Sequence, residues 1–539
     1  MRRVVGVLLA LVGVVALASA ASARVLRVGS YHGISGRFNS IQAAVDAARR
    51  GDWILVGPGD YKTRSSRRPR RRADLPAGVL ISTPDIYLRG MNRNTVIVDG
   101  TKPGSPKCSA RSPDQNVGPS SSKGRRGLNG ILVWKAANVW VQNLTACNFI
   151  SGAAGNGETG NEIWWNGGDN SGKVGGHGYY GSYLTTTSTY YRGETTAAEY
   201  GIYSSNWSGG AWDNTYSSNF NDSGYYIGAC QQVCDQLITH AHAEYDALGY
   251  SGSNSGGQLV VENSEFDNNT NAINTNSQNG NAPSPQNGAC PHGAISSITH
   301  THSCLVFVNN YVHDNNNANV PSSGEAAQGP VGTGVVIAGG RNDTVMGNRV
   351  VRNNAWGVIL SPYTSNGQPC KGGTLNFLVP GLCLFDEWGD ALIGNTFGAN
   401  GSYGHPTNGD FAQVNFESGH PTNCYSGNTE VGGGALTPAS AAAMQQRYPA
   451  CNGALVVAGS SDPSFLGEGL CDSQIELIPG QPATCPTGSY PRRTRVIMHP
   501  LPKHLKTMPN PCAEVPANPW CPSHAAKQNP AGGPPPGLG

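Results

Sequence analysis

The segment that decides the fold is GVVIAGGRNDTVMGNRVVRNNAWGVIL, which runs from Gly334 to Leu360. Short apolar runs alternate in it with Gly and Asn, and none of these runs has the 3.6-residue spacing of an amphipathic helix. Val and Ile favour a strand buried in a sheet, whereas Gly339-Gly340, Gly347 and Asn353-Asn354 tolerate the positive φ of a tight bend. The segment therefore predicts several short strands in each turn of a coil, wound around one core.

A repeat extends this pattern along the chain. Pairs of Asn recur in which the second Asn follows the first by five residues, and Asp222 and Asp246 fit the second position. The pairs are Asn143/Asn148, Asn263/Asn268, Asn310/Asn315, Asn348/Asn353 and Asn395/Asn400. Where no long loop intervenes, the spacing is about 23 residues, which is typical of a solenoid coil. Asn stacked at one corner can pass side-chain hydrogen bonds from coil to coil; the alternative is chance recurrence in an Asn-rich sequence.

The composition favours a turn-rich all-β protein. Only 13% of the 539 residues are charged and 73 are Gly, which argues against a helical bundle. Lys and Arg total 36 against 34 Asp and Glu, so the overall charge gives no indication of nucleic-acid binding. The length would allow two or three domains, but a repeat protein can form one elongated domain of this size.

The N-terminus has the pattern of a secretory signal peptide. Arg2-Arg3 precede an apolar run from Val4 to Leu17, and Ala21-Ser22-Ala23 forms a small-residue cleavage site. The run is shorter than the roughly 20 residues that span a bilayer, and no later segment has the pattern of a transmembrane helix. We therefore predict a signal peptide over residues 1–23, a mature chain that starts near Arg24, and a secreted, extracellular protein.

All 14 Cys follow the predicted cleavage site. An even number of Cys in an oxidising compartment predicts disulfides. The neighbouring candidates are Cys370/Cys383, Cys471/Cys485 and Cys512/Cys521, although spacing alone does not determine the pairing.

A helix precedes the first long strand, and we predict it over residues 40–50. Its apolar stripe consists of Ile41, Ala44, Val45 and Ala48. Ser40 can cap its N-terminus, and the buried strand WILVGPGDY, residues 53–61, follows it. An amphipathic helix at this place would cover the open end of a solenoid core.

This opening resembles the N-terminus of right-handed parallel β-helix proteins of the pectin-lyase-like superfamily, and the resemblance extends more loosely to about Glu430. It implies an all-β fold, a right-handed parallel β-helix over residues 24–430, with long loops inserted between coils. Residues 431–539 are rich in Cys and Pro and are predicted to form a C-terminal cap and a disordered tail. Gly176-His177-Gly178 matches one short motif of the polygalacturonase-like branch, but the other motifs of that branch are absent.

The best local candidate for chemistry is ITHAHAEYD, from Ile238 to Asp246. Alternate side chains of an extended strand share one face, which would bring two imidazoles and two carboxylates together. The four residues are His240, His242, Glu244 and Asp246. Such a set can supply metal ligands or a general acid and a general base; the alternative is a polar coil surface without a function.

The repeat register bears on the same residues. It would place Glu262 beside His240, one strand spacing away. It would also make Phe220 and Phe266 the equivalents of Glu244, in which case Glu244 would lie at a kink rather than in a groove. Cys230 and Cys234 lie just upstream, so a zinc site with His240 and His242 is conceivable, but a secreted protein favours a disulfide.

A second catalytic candidate is His313-Asp314, in the sequence NYVHDNN. This dipeptide resembles the His-Asp pair of β-helix alginate epimerases, although their fuller motif is absent; a solvated corner is the alternative. If two to three coils separate His313 from His242, the imidazoles would be roughly 10 to 15 Å apart. At that distance the two would not act on one bond.

Aromatic residues between Gly155 and Asp222 suit either strand packing or flat platforms for sugar rings. The residues that we predict to bind substrate are Trp164, Trp165, Tyr179, Tyr180, Tyr225 and Tyr226. The basic loop from Arg64 to Arg72 is either a solvated surface loop or a contact for an acidic polysaccharide or anionic cell wall.

These features predict a secreted β-helix protein that acts on or binds extracellular polysaccharide, as a carbohydrate-active enzyme of the lyase, hydrolase or epimerase class. The alternative is a non-catalytic surface protein that binds glycans or the cell wall. A third hypothesis is metal handling, by resemblance to β-helix proteins that assist copper delivery, but six Met disfavour it. The sequence identifies no cofactor and no metal site, and it predicts a monomer.

Overall fold

The structure is a computed structural model that describes most of the chain between residues 23 and 522. The described ranges are 23–63, 66–153, 158–168, 174–230, 233–255, 257–278, 305–367, 369–370, 373–375, 380–416, 419–449, 451, 456–457, 463–473 and 490–522. The predicted tail from residue 523 onward, and all of the predicted signal peptide except Ala23, lie outside these ranges.

Three long parallel sheets form the body of the molecule. The chain adds one strand to the first sheet, then one to the second and one to the third, before it returns to the first sheet one coil further on. The strands of the first sheet are Val25–Val28, Trp53–Val56, Tyr87–Gly90, Val139–Gln142, Tyr179–Ser182, Gly210–Asp213, Val233–Thr239, Gly257–Glu262, Leu305–Val308, Thr344–Met346, Ala391–Ile393 and Cys424–Ser426. Those of the second sheet are Gly59–Lys62, Val96–Asp99, Thr145–Cys147, Thr185–Thr187, Tyr216–Ser218, His242–Glu244, Glu265–Asp267, Tyr311–His313, Arg349–Val351, Thr396–Gly398 and Thr429–Glu430. Those of the third sheet are Ala77–Ile81, Asn129–Trp134, Asn161–Asn166, Tyr200–Ser205, Ser223–Gly228, Leu248–Ser253, Asn271–Asn276, Thr333–Ala338, Trp356–Ser361 and Gly409–Gln413.

Smaller elements lie outside the coil. Short paired strands are Ser30–Tyr31 with Ile34–Ser35, Ser120–Ser121 with Gly124–Arg125, Gly176–His177 with Trp207–Ser208, Cys383–Phe385 with Tyr363–Ser365 and Thr374–Leu375, and His420–Pro421 with Val456–Val457. Turns of 3-10 helix are Ser112–Asp114, Glu194–Thr196 and Gly324–Gln328. The α-helices are Ile41–Ala47, Ala439–Arg447 and Pro463–Asp472, and no helix in the described ranges is long and apolar enough to cross a membrane.

The segment that predicted the fold spans one complete coil. It passes from Thr333–Ala338 of the third sheet through Thr344–Met346 and Arg349–Val351, and returns to the third sheet in Trp356–Ser361. Connections between parallel strands of one sheet are right-handed in nearly all proteins. The protein is a right-handed parallel β-helix, as predicted.

Alternate side chains of every strand point into the coil and form one continuous core. In this coil the core contains Val335 and Val358 from the third sheet and Val350 from the second. All three side chains are at most 1% exposed. Since each coil contacts mainly the coils on either side of it, stability depends on the match between neighbours.

Two columns of polar side chains, nearly all of them buried, run along the corners of the β-helix. The first ladder, between the first and second sheets, consists of Ser264, Asn310, Asn348, Asn395 and Asn428. The second ladder, between the second and third sheets, consists of Asp246, Asn269, Asn315, Asn353 and Asn400. In each ladder a side-chain oxygen accepts a hydrogen bond from the backbone N–H of the previous member, which satisfies groups that the turns leave unpaired.

The predicted register of these ladders is wrong by one residue in two coils. Asn143 and Asn148, with left-handed φ values of 56° and 58°, are the register equivalents of Asn263 and Asn268. Asn263 and Asn268 adopt left-handed φ values of 48° and 55°, and the ladder residues are their successors, Ser264 and Asn269. Asn suits both positions, because its amide can bond within the ladder and its backbone tolerates a left-handed φ. Asp222 is not a ladder residue either, since the backbone N–H of Phe220 bonds to Asp246 there.

The predicted capping helix is confirmed in a shorter form, Ile41–Ala47. The Ser40 hydroxyl accepts a hydrogen bond from the Ala43 N–H at 3.2 Å, and the apolar stripe faces the core. The helix ends before residue 50 because Ala48 has an extended ψ of 151°.

The helix Ala439–Arg447 covers the C-terminal end of the β-helix. Oε1 of Gln445 accepts hydrogen bonds from the backbone N–H and the side-chain amide of Asn428, both at 2.9 Å. Gln445 therefore terminates the first ladder as a further Asn would, and both ends of the core are closed.

Five disulfides lie within the described ranges. They are Cys108–Cys147, Cys230–Cys234, Cys370–Cys383, Cys424–Cys451 and Cys512–Cys521. The predicted pairs Cys370/Cys383 and Cys512/Cys521 are confirmed, whereas Cys485 lies outside the described ranges.

Residues 490–522, the C-terminal strap, run back along the outside of the coil. Backbone N–H groups of the strap donate hydrogen bonds to the Asn319 carbonyl, then to the Asn219 side chain, and then to the Asn94 side chain. At the N-terminal end, Trp520 donates a hydrogen bond to the Ile34 carbonyl at 2.8 Å. The strap thus links the last coils to the first.

Candidate functional site

The chain turns a corner in the middle of ITHAHAEYD. A strand of the first sheet ends at Thr239, and the next strand, in the second sheet, begins at His242. His240, with a left-handed φ of 49°, makes the turn. The prediction of one continuous strand is therefore wrong, and the four predicted side chains do not share a face.

His240 lies at the exposed corner. Its Nδ1 atom is 2.9 Å from Oδ1 of Asp213. Glu262 pairs with Thr239 rather than with His240, so the predicted neighbour is also displaced by one residue.

Asp246 is fully buried in the second ladder. Its Oδ1 atom accepts a hydrogen bond from the Phe220 N–H at 2.8 Å. Burial raises the pKa of Asp246 well above its usual value, against the opposing effect of this hydrogen bond. The carboxyl group therefore belongs to the core of the coil and not to its surface.

His242 and Glu244 point outward from the second sheet. Ala243, and not Glu244, pairs with Phe266, while Glu244 pairs with Asp267. The expectation that Glu244 would lie at a kink is therefore wrong. We call the outward side chains of these three adjacent strands the histidine face: His242, Glu244, Glu265, Asp267, Tyr311 and His313.

His242 is held by its neighbours on both sides. Nε2 lies 2.6 Å from Oδ1 of Asp267, and the Tyr216 ring packs edge-on against the imidazole at 5.4 Å. The Tyr216 hydroxyl donates a hydrogen bond to Glu244 at 2.7 Å. Burial lowers the pKa of His242, but Asp267, with smaller effects of Glu244 and Glu265, raises it more, so the net shift is upward.

His313 lies between two carboxylates. Nε2 is 3.0 Å from Oε1 of Glu265 and Nδ1 is 2.8 Å from Oδ2 of Asp314, and the ring stacks on Tyr311 with centroids 3.8 Å apart. Arg352 bonds Asp314 in turn at 2.5 Å. Burial raises the pKa of Asp314, but Arg352 and then His313 lower it more, so the net shift is downward.

The two catalytic candidates of the sequence thus contact one strand. Glu265–Asp267 lies between the strands of His242 and His313, and its two carboxylates bond one imidazole each. Two strand spacings, about 10 Å, separate the two backbones, as the sequence predicted. The acidic strand between them was not predicted.

One part of the histidine face could hold a metal ion. Donor atoms of His242, Glu265 and Asp267 all lie within 4.8 Å of one another. The alternative zinc site is wrong, because Cys230 and Cys234 form a disulfide.

A cavity of about 330 Å³ lies on the outer face of the third sheet. We call it the third-sheet cavity. Its floor consists of outward residues on adjacent strands: Tyr226, Ser251, Ser253, Asn274 and Asn276. The helix Pro463–Asp472 forms one wall with Phe465 and Leu466, and Leu248 and Ala326 form another. Polar amides and hydroxyls therefore line the bottom of a mainly apolar cleft.

The predicted sugar-binding aromatics divide among three environments. Trp165, Tyr179 and Tyr225 point into the core, where they are at most 4% exposed. Tyr180 is buried on the first sheet. Trp164 is buried on the outer face of the third sheet, stacked on Tyr203.

Tyr226 lines the third-sheet cavity. Its ring packs against Tyr203 at 4.9 Å and against Tyr200 at 4.9 Å. An aromatic row therefore leads along the third sheet to the rim of the cavity.

The sequence reasoning missed Glu265 and Asp267 on the histidine face and Asn274 and Asn276 in the cavity. The segment NAINTN carries little signal for the second pair, because strict alternation puts polar residues on both faces of the strand: Asn271 and Thr275 fall on the opposite face. The predicted basic loop is only partly described: Arg67 pairs with Asp46, and Arg64 lies outside the described ranges.

No family model and no curated protein sequence matches the chain. Among solved structures, the A-module of mannuronan C-5 epimerase AlgE4 from Azotobacter vinelandii is 12% identical, with a TM-score of 0.38, over 72% of this chain and 86% of that one. A mannuronic acid specific polysaccharide family 6 lyase from human gut microbiota is 11% identical, with a TM-score of 0.37, over 75% and 80%. Pectate lyase Pel9A is 12% identical, with a TM-score of 0.32, over 76% and 74%. At these values the similarity assigns no substrate and no reaction to this chain.

Proposed function

We propose that the protein is secreted, acts on an extracellular polysaccharide, and binds the sugar chain in the third-sheet cavity. The observation that carries the proposal is the lining of the cavity, where amides and hydroxyls form the floor between aromatic and aliphatic walls. Its volume of about 330 Å³ lies within the range of pockets that hold small ligands. The signal-peptide pattern and the disulfides support secretion.

Sugars offer both kinds of surface that this lining requires. The C–H faces of a sugar ring pack on aromatic and aliphatic side chains, which Tyr226 and Phe465 supply. Sugar hydroxyls both donate and accept hydrogen bonds, as do the Ser251 hydroxyl and the Asn274 amide.

Asn276 adds a polar group that the protein itself does not satisfy. The residue is 8% exposed, and its Oδ1 atom accepts no hydrogen bond in the described part of the chain. Buried polar groups are normally paired. A small rotation of this amide toward a ligand hydroxyl would pair it, which favours a hydroxyl-rich ligand over an apolar one.

Catalysis at the cavity is a second candidate, and two neighbouring carboxyl groups favour it, of which Asp222 lines the cavity and Glu199 lies behind it in the preceding coil. Asp222 lines the cavity and accepts a hydrogen bond from the Tyr200 hydroxyl at 3.1 Å. Burial, and then the charge of Asp222, raise the pKa of Glu199 well above its usual value. A raised pKa next to a second carboxyl group is a feature of general acids in glycoside hydrolysis.

The histidine face is the other place where catalysis is proposed, through His242, Glu244, His313 and Asp314. It lies on the second sheet, and the cavity lies on the third, so a sugar unit held in the cavity would not contact these side chains. Chemistry on the histidine face therefore needs a sugar chain that binds there separately.

Gly469 offers a clean test of binding. It lies in the helix Pro463–Asp472, lines the cavity, and an added Cβ would meet no atom within 4 Å. Gly469→Phe should fill the cavity and abolish binding, whereas the control Gly469→Ala adds one methyl group and should bind normally. Binding of the purified full chain to anionic and neutral polysaccharides is measured by affinity electrophoresis and calorimetry.

Binding by Gly469→Phe equal to that of the wild type would show that the sugar lies elsewhere. Failure of the wild type to bind any polysaccharide would overturn the proposal. Unchanged melting temperatures of both variants establish that the fold is intact.

Products decide between the two catalytic candidates. Unsaturated products are followed in the ultraviolet and new reducing ends by a chemical assay. Catalysis at the cavity predicts that Asp222→Asn and Glu199→Gln lose product and still bind. If His242→Asn or His313→Asn loses product while Asp222→Asn and Glu199→Gln remain active, the reaction takes place on the histidine face. If the wild type forms no product, the protein binds polysaccharide without catalysis.

A further inference from the structure

We propose that the histidine face binds a divalent transition-metal ion, such as Zn²⁺, through His242, Glu265 and Asp267. One donor atom from each residue lies within 4.8 Å of the other two. Zinc bonds to imidazole nitrogen and carboxylate oxygen are about 2.0–2.2 Å long, so small side-chain rotations bring all three donors onto one ion. The site is independent of the third-sheet cavity and of the sugar proposed there.

The backbone fixes this arrangement. His242 and Glu265 are register partners on adjacent parallel strands, which lie about 4.8 Å apart. Asp267 follows Glu265 by two residues on the same strand, so both carboxylates point to the same side of the sheet. Donors carried by neighbouring strands of a sheet hold their spacing better than donors on a loop.

Each of the three ligand side chains also contacts a further residue that is not a ligand. His313 Nε2 lies 3.0 Å from Oε1 of Glu265, the Asn268 amide donates a hydrogen bond to Oδ2 of Asp267 at 2.5 Å, and the Tyr216 ring packs edge-on against His242. Hydrogen bonds and packing behind the ligands orient them and raise metal affinity. This support distinguishes the site from an accidental group of surface acids.

The charged groups around the three ligands favour binding of a cation. Glu244 adds a third carboxylate beside the ligands, on the same strand as His242. The nearby guanidinium groups have other partners: Arg352 bonds Asp314, and Arg349 lies over the Tyr311 ring at 5.3 Å.

The donor set also indicates the class of metal. One imidazole nitrogen with two carboxylates suits Zn²⁺ and similar first-row ions, whereas Ca²⁺ prefers six to eight oxygens. The His242 side chain is 32% exposed, so a coordination position would remain open to water, as in catalytic rather than structural zinc sites.

Titration of the chelator-treated full chain with ZnCl₂, in competition with a chromophoric chelator, tests the proposal. We expect one tight site per chain and a loss of affinity of about tenfold or more in His242→Asn and in Asp267→Asn. The matched control is His240→Asn, which removes the exposed imidazole two residues away and should bind zinc as the wild type does. Co²⁺ substitution should give a visible absorption band that His242→Asn lacks.

The same zinc affinity in wild type, His242→Asn and Asp267→Asn would overturn the proposal, and so would the absence of a tight site in the wild type. Glu265→Gln provides a third, independent variant if one of the others fails to fold. Sugar binding by the zinc-free chain should be unchanged, so failure of the metal site and failure of the cavity can be told apart.

Discussion

His499 stacks on Tyr245, with ring centroids 3.5 Å apart and ring planes 5° from parallel. Tyr245 directly follows Glu244, the last residue of a histidine-face strand. The backbone of His499 is bonded twice by the Asn219 side chain, at 3.0 and 3.2 Å. The C-terminal strap is therefore fixed beside the histidine face, although almost the whole chain separates the strap from the first coils that it also contacts.

Acidification should loosen the strap at this contact. Burial lowers the pKa of His499, against the opposing charge of Glu244, so the unfolded chain binds a proton more readily than the folded one. The neutral His499 imidazole contributes its full share to the free energy of unfolding above the pKa of the unfolded state, about 6.5. That contribution is lost as the pH falls through the lower pKa of the folded state. Hydrogen exchange of residues 495–505 should therefore speed up between pH 7.5 and pH 5, beyond the intrinsic effect of pH.

The variant His499→Phe keeps an aromatic ring on Tyr245 but cannot take up a proton. Its protection against exchange should stay constant over the same pH interval. If the wild type and His499→Phe lose protection in parallel, the proton on His499 is not the cause.

Arg93 should anchor the N-terminal half of the strap. It is 3% exposed, and its guanidinium group donates hydrogen bonds to the carbonyl groups of Leu184, Asn214 and Lys506. Arg93→Ala removes the donor to the Asn214 and Lys506 carbonyl groups, while the Leu184 carbonyl keeps its bond from the Tyr216 N–H. Hydrogen bonds to charged groups contribute about 1.5–3 kcal/mol each. We expect the free energy of unfolding to fall by about 3 kcal/mol or more, measured by chemical denaturation, with faster proteolysis of residues 500–510.

The control for Arg93→Ala is Arg50→Ala. Arg50 is exposed and pairs with Asp85 at the surface, where ion pairs contribute about 0–1 kcal/mol. A loss in Arg93→Ala no larger than in Arg50→Ala would contradict the role of Arg93 as an anchor.

The first ladder should be a major source of stability. Asn348 is 1% exposed; its amide donates to Phe307 O at 2.9 Å and to Asn395 Oδ1 at 3.0 Å, and its Oδ1 accepts from the Asn310 N–H at 2.9 Å. Asn348→Ala removes these bonds and leaves buried partners unsatisfied, which costs about 1–3 kcal/mol per group. Chemical denaturation should show a loss of at least about 2 kcal/mol, whereas Thr396→Ala, on the outer face of the next coil, should change little. Equal effects of the two substitutions would mean that the ladder is not an important source of stability.

The fold could be predicted because its determinants are local and repeated. Val and Ile at alternate positions form the strands, and Gly347 and Asn353 mark corners within one coil of sequence. The exact register could not be predicted in the coil of Asn263 and Asn268, because the left-handed position and the ladder position are adjacent and Asn suits both. One residue of error moves a side chain to the opposite face of a strand, which is why Glu262 and Phe266 were given the wrong neighbours.

The site was harder to predict because its parts are distant in the sequence. Glu265 and Asp267 lie one coil after His242 and carry no motif of their own, so only strand register brings them together. The wall of the third-sheet cavity comes from the helix Pro463–Asp472, beyond the last coil. No local pattern of residues shows where such a helix or the C-terminal strap will pack.

Asp246 was predicted to be catalytic, but the structure shows it buried in the second ladder. Substitution of Asp246 can distinguish a catalytic role from a structural one. Oδ2 of Asp246 has no hydrogen-bond partner in the described part of the chain. In the next coil, the equivalent Asn269 donates from its amide to the Ala243 carbonyl at 3.1 Å. Asp246→Asn should make the corresponding bond and should not disturb the second ladder.

The pH dependence of this substitution follows from burial, which raises the pKa of Asp246. Above the unfolded pKa of about 3.9, the folded chain keeps a proton that the unfolded chain releases, so the stability of the wild type falls as the pH rises toward the folded pKa. Asp246→Asn removes this contribution, and its melting temperature should exceed that of the wild type by a margin that grows from pH 4.5 to pH 8. Because the side chain is buried, any activity on polysaccharide should survive the substitution. A constant margin, or loss of activity in a folded Asp246→Asn, would mean that this carboxyl group has a role beyond the ladder.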